Sequence, residues 1–201
     1  MPEESIQPNE KQLVVFDLSS EVYGVDIGAV REIIRLQEIT RVPRTAGFVE
    51  GVIDLRGKVI PVIDLRKRFD LPGAEENGDN RIVVVNIITQ DIGMVVDAVT
   101  EVLRIPGDAV EPLGAMVATA ESECLLGIAK LDNRLIILLD LEQLLSQAEQ
   151  NSLLEVAKAA NSSQVSKSAE GIAASAETTD AMTKELQEVI GQSQLNGPRL
   201  Q

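Results

Sequence analysis

The sequence predicts a mainly β protein made of two small barrels of about five strands each, which arise from an internal duplication, followed by a C-terminal helical or disordered tail. Three observations support this fold. Residues 12–146 are rich in Val, Ile and Leu and are interrupted at intervals of roughly 8–12 residues by Gly, Pro, Asp or Asn, as in chains of many short strands. This stretch contains an internal repeat, and the composition changes near residue 147.

The internal repeat aligns two pairs of segments without gaps. LVVFDLSSEVYGVDIGAVREIIR (13–35) matches IVVVNIITQDIGMVVDAVTEVLR (82–104), and GVIDLRGKVIPVIDLRKRF (51–69) matches GIAKLDNRLIILLDLEQLL (127–145). Apolar positions alone match between many β segments. The matched polar residues and glycines are more specific, and they favour a duplication. These pairs are Gly24 with Gly93, Glu32 with Glu101, Gly51 with Gly127, and Asp64 with Asp140.

The elements follow in the same order in each half, which we place at about 12–80 and 81–146. A first strand (Leu13–Leu18; Ile82–Ile88) is followed by a tight turn (Ser19–Glu21; Thr89–Asp91) and a returning strand (Tyr23–Ile27; Ile92–Val96). A short turn or helix and a further extended segment follow. A hairpin comes next (49–55 with 58–64; 125–131 with 134–139), and a short helix closes the half (65–69; 141–145). Five short strands suit a small closed barrel, which leaves no exposed sheet edge.

Local residue chemistry supports the hairpins and the short helices. Arg56–Gly57 and Asp132–Asn133 occupy the two-residue turns, where Gly and Asn tolerate the positive φ that such turns need. Asp64 and Asp140 are suitable N-caps. The continuous apolar runs VIPVI and LIILL indicate strands that are buried on both faces, and therefore a core shared between the halves.

The composition limits the chemistry that the chain can carry. The 201 residues include no His, one Cys and a net charge of −14. The absence of His excludes His-dependent catalysis and His-ligated metal, and a single Cys excludes an intramolecular disulfide. The negative charge argues against binding to nucleic acid or to an anionic membrane. We predict no cofactor, no metal and no membrane insertion, and we expect a cytoplasmic protein.

Three ordered segments carry a resemblance to a known family. FDLSSEVYGVDIGAVREII, VPRTAGFVEGVIDLRGKVIPVIDLRKRF and GMVVDAVTEVLRI resemble the bacterial chemotaxis coupling protein (CheW) family over about residues 12–146. The resemblance implies two SH3-like five-stranded β-barrels related by a pseudo-twofold axis, in agreement with the repeat, and a non-enzymatic adaptor. Such an adaptor links the cytoplasmic tips of methyl-accepting receptors to the regulatory domain of the histidine kinase CheA in membrane-associated receptor arrays.

The resemblance also implies where the partners bind. A groove between the barrels, where a helical receptor tip docks, and the end of the first barrel, where the kinase docks, are the expected surfaces. The receptor-binding residues implied are Arg56, Val30, Glu32, Ile33, Gly93 and Val102; the kinase-binding residues implied are Ile39, Val42 and Gly51. From the residues alone, Arg56 is equally compatible with a solvated turn charge, Val30 and Ile33 with core positions, and Gly93 with a strand glycine.

The remaining polar residues are compatible with purely structural roles. Asp17, Asp26, Asp54 and Asp64 are scattered carboxylates at predicted strand ends and turns, which is poor support for an enzyme. Cys124 begins an apolar run and is predicted to be a buried or half-buried small hydrophobe. A second class of function is a coupling-type regulatory β domain. It would serve a twitching or other chemosensory kinase pathway, or bind a small ligand.

The two ends of the chain are predicted to be separate from the barrels. Residues 1–11 are polar and acidic and are expected to form a flexible tail. Residues 147–201 are rich in Ala, Ser, Gln, Glu and Thr, and residues 168–197 resemble the end of a methyl-accepting receptor signalling domain. Either this extension pairs with receptor helices or with itself, or it is functionally silent.

Overall fold

The computed structural model describes residues 10–73, 77–112, 123–131 and 134–162. The strands of this part are β1 Glu10–Leu18, β2 Glu21–Asp26, β3 Val30–Arg35, β4 Val49–Leu55, β5 Lys58–Asp64, β6 Arg81–Ile87, β7 Gln90–Val96, β8 Ala98–Pro106, β9 Val110–Glu111, β10 Leu125–Leu131 and β11 Arg134–Leu139. A short helix, α1 (Leu65–Arg68), follows β5, and single 3-10 turns lie at Ile27–Ala29 and Gly107–Ala109.

The strands form two sheets, each of which closes on itself. The six-stranded sheet has the order β8-β1-β2-β11-β10-β9, and its outer strands β8 and β9 are joined by the turn Gly107–Ala109. The five-stranded sheet has the order β3-β6-β7-β5-β4. Thr40, in the segment after β3, exchanges both backbone hydrogen bonds with Val52 of β4 at 2.9 Å. The predicted mainly β fold with two barrels is confirmed.

The barrels do not correspond to contiguous halves of the chain, unlike the predicted division at residue 80. The six-stranded sheet combines β1 and β2 of the first repeat with the last strands of the second, and the five-stranded sheet does the reverse. Four pairings make the exchange: β2 with β11 and β5 with β7 are parallel, and β1 with β8 and β3 with β6 are antiparallel. The predicted division relies on the tendency of strands adjacent in sequence to pair in space. Because the repeats are alike, either arrangement satisfies the same local pattern.

Three hydrophobic clusters fill the structure and follow the exchange. Leu13 and Val15 of β1 point into the six-stranded barrel, and Ile82 and Val84 of β6 point into the five-stranded one. The alternate residues of the same two strands, such as Val14 and Val83, lie in a third and larger cluster, which both sheets share. The core shared between the halves is therefore confirmed. The run VIPVI of β5 is buried throughout, as predicted, whereas the prediction for LIILL is wrong at its first residue, because Leu135 is 56% exposed.

The predicted hairpin bounds agree with β4–β5 and β10–β11, while Asp132–Asn133 lies outside the described residues. Asp64 caps α1 as predicted, because its side chain accepts the backbone N–H groups of Arg66 and Lys67. The prediction of a second short helix is wrong, because residues 141–145 form turns and bends. The carbonyls there have other donors, since Arg68 Nε donates to Leu144 O at 3.0 Å and Gln150 Nε2 to Leu145 O at 2.9 Å.

Both ends of the folded body differ slightly from the predicted bounds. Strand β1 begins at Glu10, which pairs with Pro106, so residues 10 and 11 belong to the barrel rather than to the tail. Residues 147–162 are helical, and Leu153 of this helix is buried in the shared core. The predicted receptor-like segment, 168–197, lies outside the described residues. Among the described residues, no helix has the length and hydrophobicity needed to cross a bilayer.

Candidate functional site

The β4–β5 turn projects Arg56 from one end of the five-stranded sheet. Arg56 and Gly57 both have positive φ, at 56° and 83°, as a two-residue hairpin turn requires. Asp54 Oδ1 accepts the backbone N–H of Gly57 at 2.6 Å and holds the turn. The Arg56 side chain is consequently 78% exposed. Its backbone is fixed while its guanidinium faces solvent, which suits an arginine that recognises a carboxylate.

The structure brings Arg56 together with another predicted receptor-binding residue. Arg56 Nη2 donates to Glu32 Oε1 at 2.6 Å, and the Glu32 side chain on β3 is 29% exposed. The pair joins the hairpin tip to the edge strand on the other side of the same sheet. A surface ion pair of this kind contributes little to stability, so its main consequence is to orient the guanidinium.

A second group of charges surrounds Asp91 beside this pair. Lys58 Nζ lies 2.5 Å from Asp91 Oδ2, Arg31 Nε lies 4.0 Å from Asp91 Oδ1, and Asn86 Nδ2 donates to Asp91 Oδ1 at 2.8 Å. Burial raises the pKa of Asp91, but the hydrogen bonds from Lys58 and Asn86 and the charges of Lys58 and Arg31 outweigh it. The pKa is therefore below its usual range. Lys58 and Arg31, 62% and 59% exposed, extend the cationic surface around Arg56.

The apolar residues predicted for the receptor groove have different positions. Ile33 is 39% exposed and Val102 is 56% exposed. Ile33 is paired with Val83, and Val102 is paired with Val14, and both valines point into the core shared by the sheets. Because directly paired residues of antiparallel strands project from the same face, Ile33 and Val102 extend the face between the barrels into solvent. Val30 is half-buried and packs against that core.

Gly93 is not on this exposed surface. It is buried at the parallel contact between β7 and β5, where a Cβ would lie 2.7 Å from Ile82 Cγ2 and 3.3 Å from Val62 Cγ2. Its repeat partner Gly24 is also crowded at the other parallel contact, though less tightly, since a Cβ there would lie 3.1 Å from Leu138 Cδ2 and 3.2 Å from Ile136 Cγ2. Close packing at the strand exchange therefore accounts for both glycines.

The residues predicted to bind the kinase lie around the edge of β4. Ile39 and Val42 are half-buried and precede and follow the bridge from Thr40 to β4. Gly51 is buried at a bulge with φ +146°, and a Cβ there would lie 2.1 Å from Thr40 O. Gly51 therefore closes the barrel, and only Ile39 and Val42 have side chains that a partner could reach.

A cavity of about 440 Å³ opens beside Ile39. Ion pairs between Arg66 and Asp97 and between Lys67 and Glu50 lie in its wall, together with Asp64. Burial raises the pKa of Asp64 more than the backbone N–H groups of Arg66 and Lys67 lower it. Because the charged groups of this wall are largely paired with one another, we interpret the cavity as a structural feature of the fold and not as a binding site.

Three of the four scattered carboxylates support turns or caps, as predicted. Asp26 Oδ1 accepts Gly28 N at 2.7 Å, Asp54 holds the β4–β5 turn and Asp64 caps α1. Asp17 lies within β1, paired with Val22 and Ala98. In the described ranges no group of three or more His, Cys, Asp or Glu side chains is arranged to hold a metal ion. Cys124 is 5% exposed, which confirms it as a buried small residue.

Comparison with known proteins identifies the family. A family model described as the CheW-like domain matches residues 12–149. This chain belongs to the CheW family. A chemotaxis protein CheW from Klebsiella aerogenes is 36% identical over 148 residues, which cover 74% of this chain and 89% of the relative. A CheW from Treponema pallidum is 31% identical over 153 residues, covering 74% of this chain and 90% of the relative.

A solved CheW structure supports the same fold. The scaffolding protein TtCheW from Thermoanaerobacter tengcongensis is 42% identical and superposes with a TM-score of 0.65, covering 69% of this chain and 94% of that one. That relative is a scaffolding protein, and membership of the same family is consistent with a non-enzymatic role for this chain. Both candidate surfaces lie inside the region that the CheW-like model matches.

Three charged residues near Arg56 were not predicted from the sequence. Arg31, Lys58 and Asp91 come from three different strands and have no common spacing in the chain. Only the parallel pairing of β5 with β7 brings Lys58 beside Asp91, and that pairing belongs to the strand exchange. The repeat contained one available signal, because Lys58 aligns with Arg134 and both repeats therefore carry a cation at this position. In the structure, Arg134 also pairs with an acid, Glu101.

Proposed function

We propose that this chain is a non-enzymatic adaptor that links methyl-accepting chemotaxis receptors to the regulatory domain of the histidine kinase CheA. Membership of the CheW family supports the role. The observation that carries it is the 78% exposed Arg56, fixed at a hairpin tip and oriented by Glu32. We propose a cytoplasmic location, with recruitment to membrane-associated receptor arrays.

Two separate surfaces would serve the two partners. The receptor surface would have two parts: Arg56 and Glu32 at one end of the five-stranded sheet, and Ile33 and Val102, with the half-buried Val30, on the face between the barrels. The kinase surface consists of Ile39 and Val42 at the edge of β4. An adaptor that binds two different partners at once needs separate faces, and heterologous contacts of this kind are those that close rings.

The receptor contact is tested by co-sedimentation with a receptor signalling fragment. Arg56→Ala should weaken association about tenfold, because it removes a charged contact at an exposed tip. Arg134→Ala is the matched control: it breaks the equivalent ion pair of the other barrel, with Glu101, and should change association by less than about twofold. Equal losses in the two variants would contradict the assignment of the receptor to Arg56.

The kinase contact is tested with the same proteins and purified CheA. Val42→Asp places a charge on a half-buried apolar position and should weaken CheA association about fivefold or more, while receptor association stays unchanged. Arg56→Ala should have the opposite pattern. If both variants weaken both partners alike, the two surfaces are not separate, and thermal unfolding of each variant shows whether loss of folding is the reason.

A further inference from the structure

Ile88 combines an unfavourable backbone conformation with an exposed apolar side chain. It lies in the two-residue turn between β6 and β7, has a φ of +59°, and is 58% exposed. A β-branched side chain is strongly disfavoured at positive φ, and a large apolar side chain gains nothing from solvent. The sequence pattern predicts Ile88 as the last residue of a strand, and the structure corrects it to a turn residue.

The repeat shows that the barrel does not require this choice. Ser19 occupies the equivalent position in the β1–β2 turn and has a φ of +60°. The same backbone is thus made with a small polar residue in one barrel and with isoleucine in the other. Local strain that the scaffold does not require is a sign of a functional site.

Ile88 and Arg56 lie at the same end of the five-stranded sheet although 32 positions separate them in the chain. Strands β5 and β7 run parallel, with Val62 opposite Gly93, so both begin at the same end of the sheet, just after the turns that hold Arg56 and Ile88. Lys58 Nζ lies 2.5 Å from Asp91 Oδ2, and this contact joins the beginnings of the two strands. An exposed isoleucine and an exposed arginine therefore share one end of the five-stranded barrel.

The charges of this end balance, although the whole chain has a net charge of −14: Arg31, Arg56 and Lys58 face Glu32, Asp91 and Asp54. The cations are the more exposed partners of their ion pairs, since Arg56, Lys58 and Arg31 are 78%, 62% and 59% exposed while Glu32 and Asp91 are 29% and 19% exposed. Exposed cations near an exposed apolar side chain are complementary to an acidic surface with an apolar cleft.

We propose that Ile88 is an apolar anchor for the same partner that Arg56 contacts, and that the partner's contact surface is acidic around an apolar cleft. This inference rests on the proposed function, in which that partner is the receptor tip. Arg56 and its cationic neighbours then supply the electrostatic part of recognition, and Ile88 supplies the desolvated contact at its centre.

The test compares Ile88→Asn with Ser19→Asn in the full chain. Asn tolerates positive φ, so Ile88→Asn should leave the thermal midpoint unchanged or raise it. It should also weaken binding to a receptor signalling fragment about fivefold. Ser19→Asn, the matched change in the other barrel, should alter neither the midpoint nor the binding.

A salt series separates the two parts of the contact. Wild-type affinity should fall as salt rises, Ile88→Asn should keep that salt dependence, and Arg56→Ala should flatten it. If Ile88→Asn binds within about twofold of wild type while Arg56→Ala is weakened about tenfold, the anchor is disproved and the proposed function stands. If the wild-type chain does not bind the receptor fragment, the proposed function is overturned, and the anchor with it.

Discussion

The two barrels are built alike and differ where they meet solvent. In one, Glu32 on β3 pairs with Arg56; in the other, Glu101 on β8 pairs with Arg134, and both distances are 2.6 Å. The glutamates occupy equivalent positions of the repeat, but the arginines do not: Arg134 begins β11 and aligns with Lys58. Arg56 is 78% exposed and Arg134 only 45%. Similar ion pairs therefore present different surfaces.

This contrast separates the framework of the fold from the residues at its hairpin tips. Residues that close the barrels or pack at the strand exchange agree between the repeats, as Gly51 does with Gly127. Residues at the hairpin tips differ, as Ile88 does from Ser19. Framework positions should respond alike to substitution in both barrels, and tip positions should not.

The largest effect is expected for the bulge glycines. A Cβ at Gly51 would lie 2.1 Å from Thr40 O, and one at Gly127 would lie 2.5 Å from Glu111 O. Since the obstacle is backbone in both cases, Gly51→Ala and Gly127→Ala should each lower the free energy of unfolding by about 3 kcal/mol. Urea unfolding followed by circular dichroism measures this loss. A tolerated change at one glycine alone would break the equivalence of the frameworks.

The second largest loss in the free energy of unfolding should be confined to one barrel. Val59 and Leu135 are equivalent in the repeat, yet Val59 is 5% exposed and Leu135 is 56% exposed. Val59→Ala should cost about 2 kcal/mol, because it removes buried methyl groups and leaves a cavity. Leu135→Ala should stay within about 0.5 kcal/mol of the wild type. Comparable losses in urea unfolding would show that Leu135 is covered in solution.

The difference between framework and tips also explains how far the sequence could predict the structure. The longer strands, the β4–β5 turn and the Asp64 cap follow from local chemistry and were predicted, whereas the two-residue strand β9, the sixth strand of its sheet, was not. The exchange of β1–β2 between the barrels was not, because two similar repeats offer each hairpin two equivalent partners. The surface around Arg56 was predicted only in part, since Lys58 and Asp91 become neighbours through that exchange.

A smaller change in stability is expected at Asp64, whose equivalent in the repeat is Asp140. The pKa of Asp64 is raised mainly by burial, so the folded chain binds this proton more tightly than the unfolded chain, and stability falls as pH rises through the raised pKa. Asp64→Asn keeps a capping side chain and removes the buried charge. It should raise stability at pH 7 by only about 0.5 kcal/mol, because Asp64 is half-exposed and solvent screens the charge.

The matched control for this change is Asp140→Asn. Asp140 Oδ1 accepts Glu142 N at 3.0 Å, so the substitution preserves the hydrogen bond at the equivalent cap. Thermal unfolding between about pH 4 and pH 8 should show a weaker decline with rising pH for Asp64→Asn than for wild type. An identical pH dependence in wild type and Asp64→Asn would refute the role assigned to burial.

The smallest effect concerns a single titration. The hydrogen bond from Arg134 is the main cause that lowers the pKa of Glu101, and the charge of Arg134 adds to it. Arg134→Gln should therefore return that pKa toward its ordinary value, as followed by the side-chain carboxyl signal in NMR. Arg56→Gln should leave it unchanged, because Arg56 pairs with Glu32 in the other barrel. A pKa of Glu101 that rises in both variants would mean that the two ion pairs are electrostatically coupled, and that the surfaces of the two barrels are not independent.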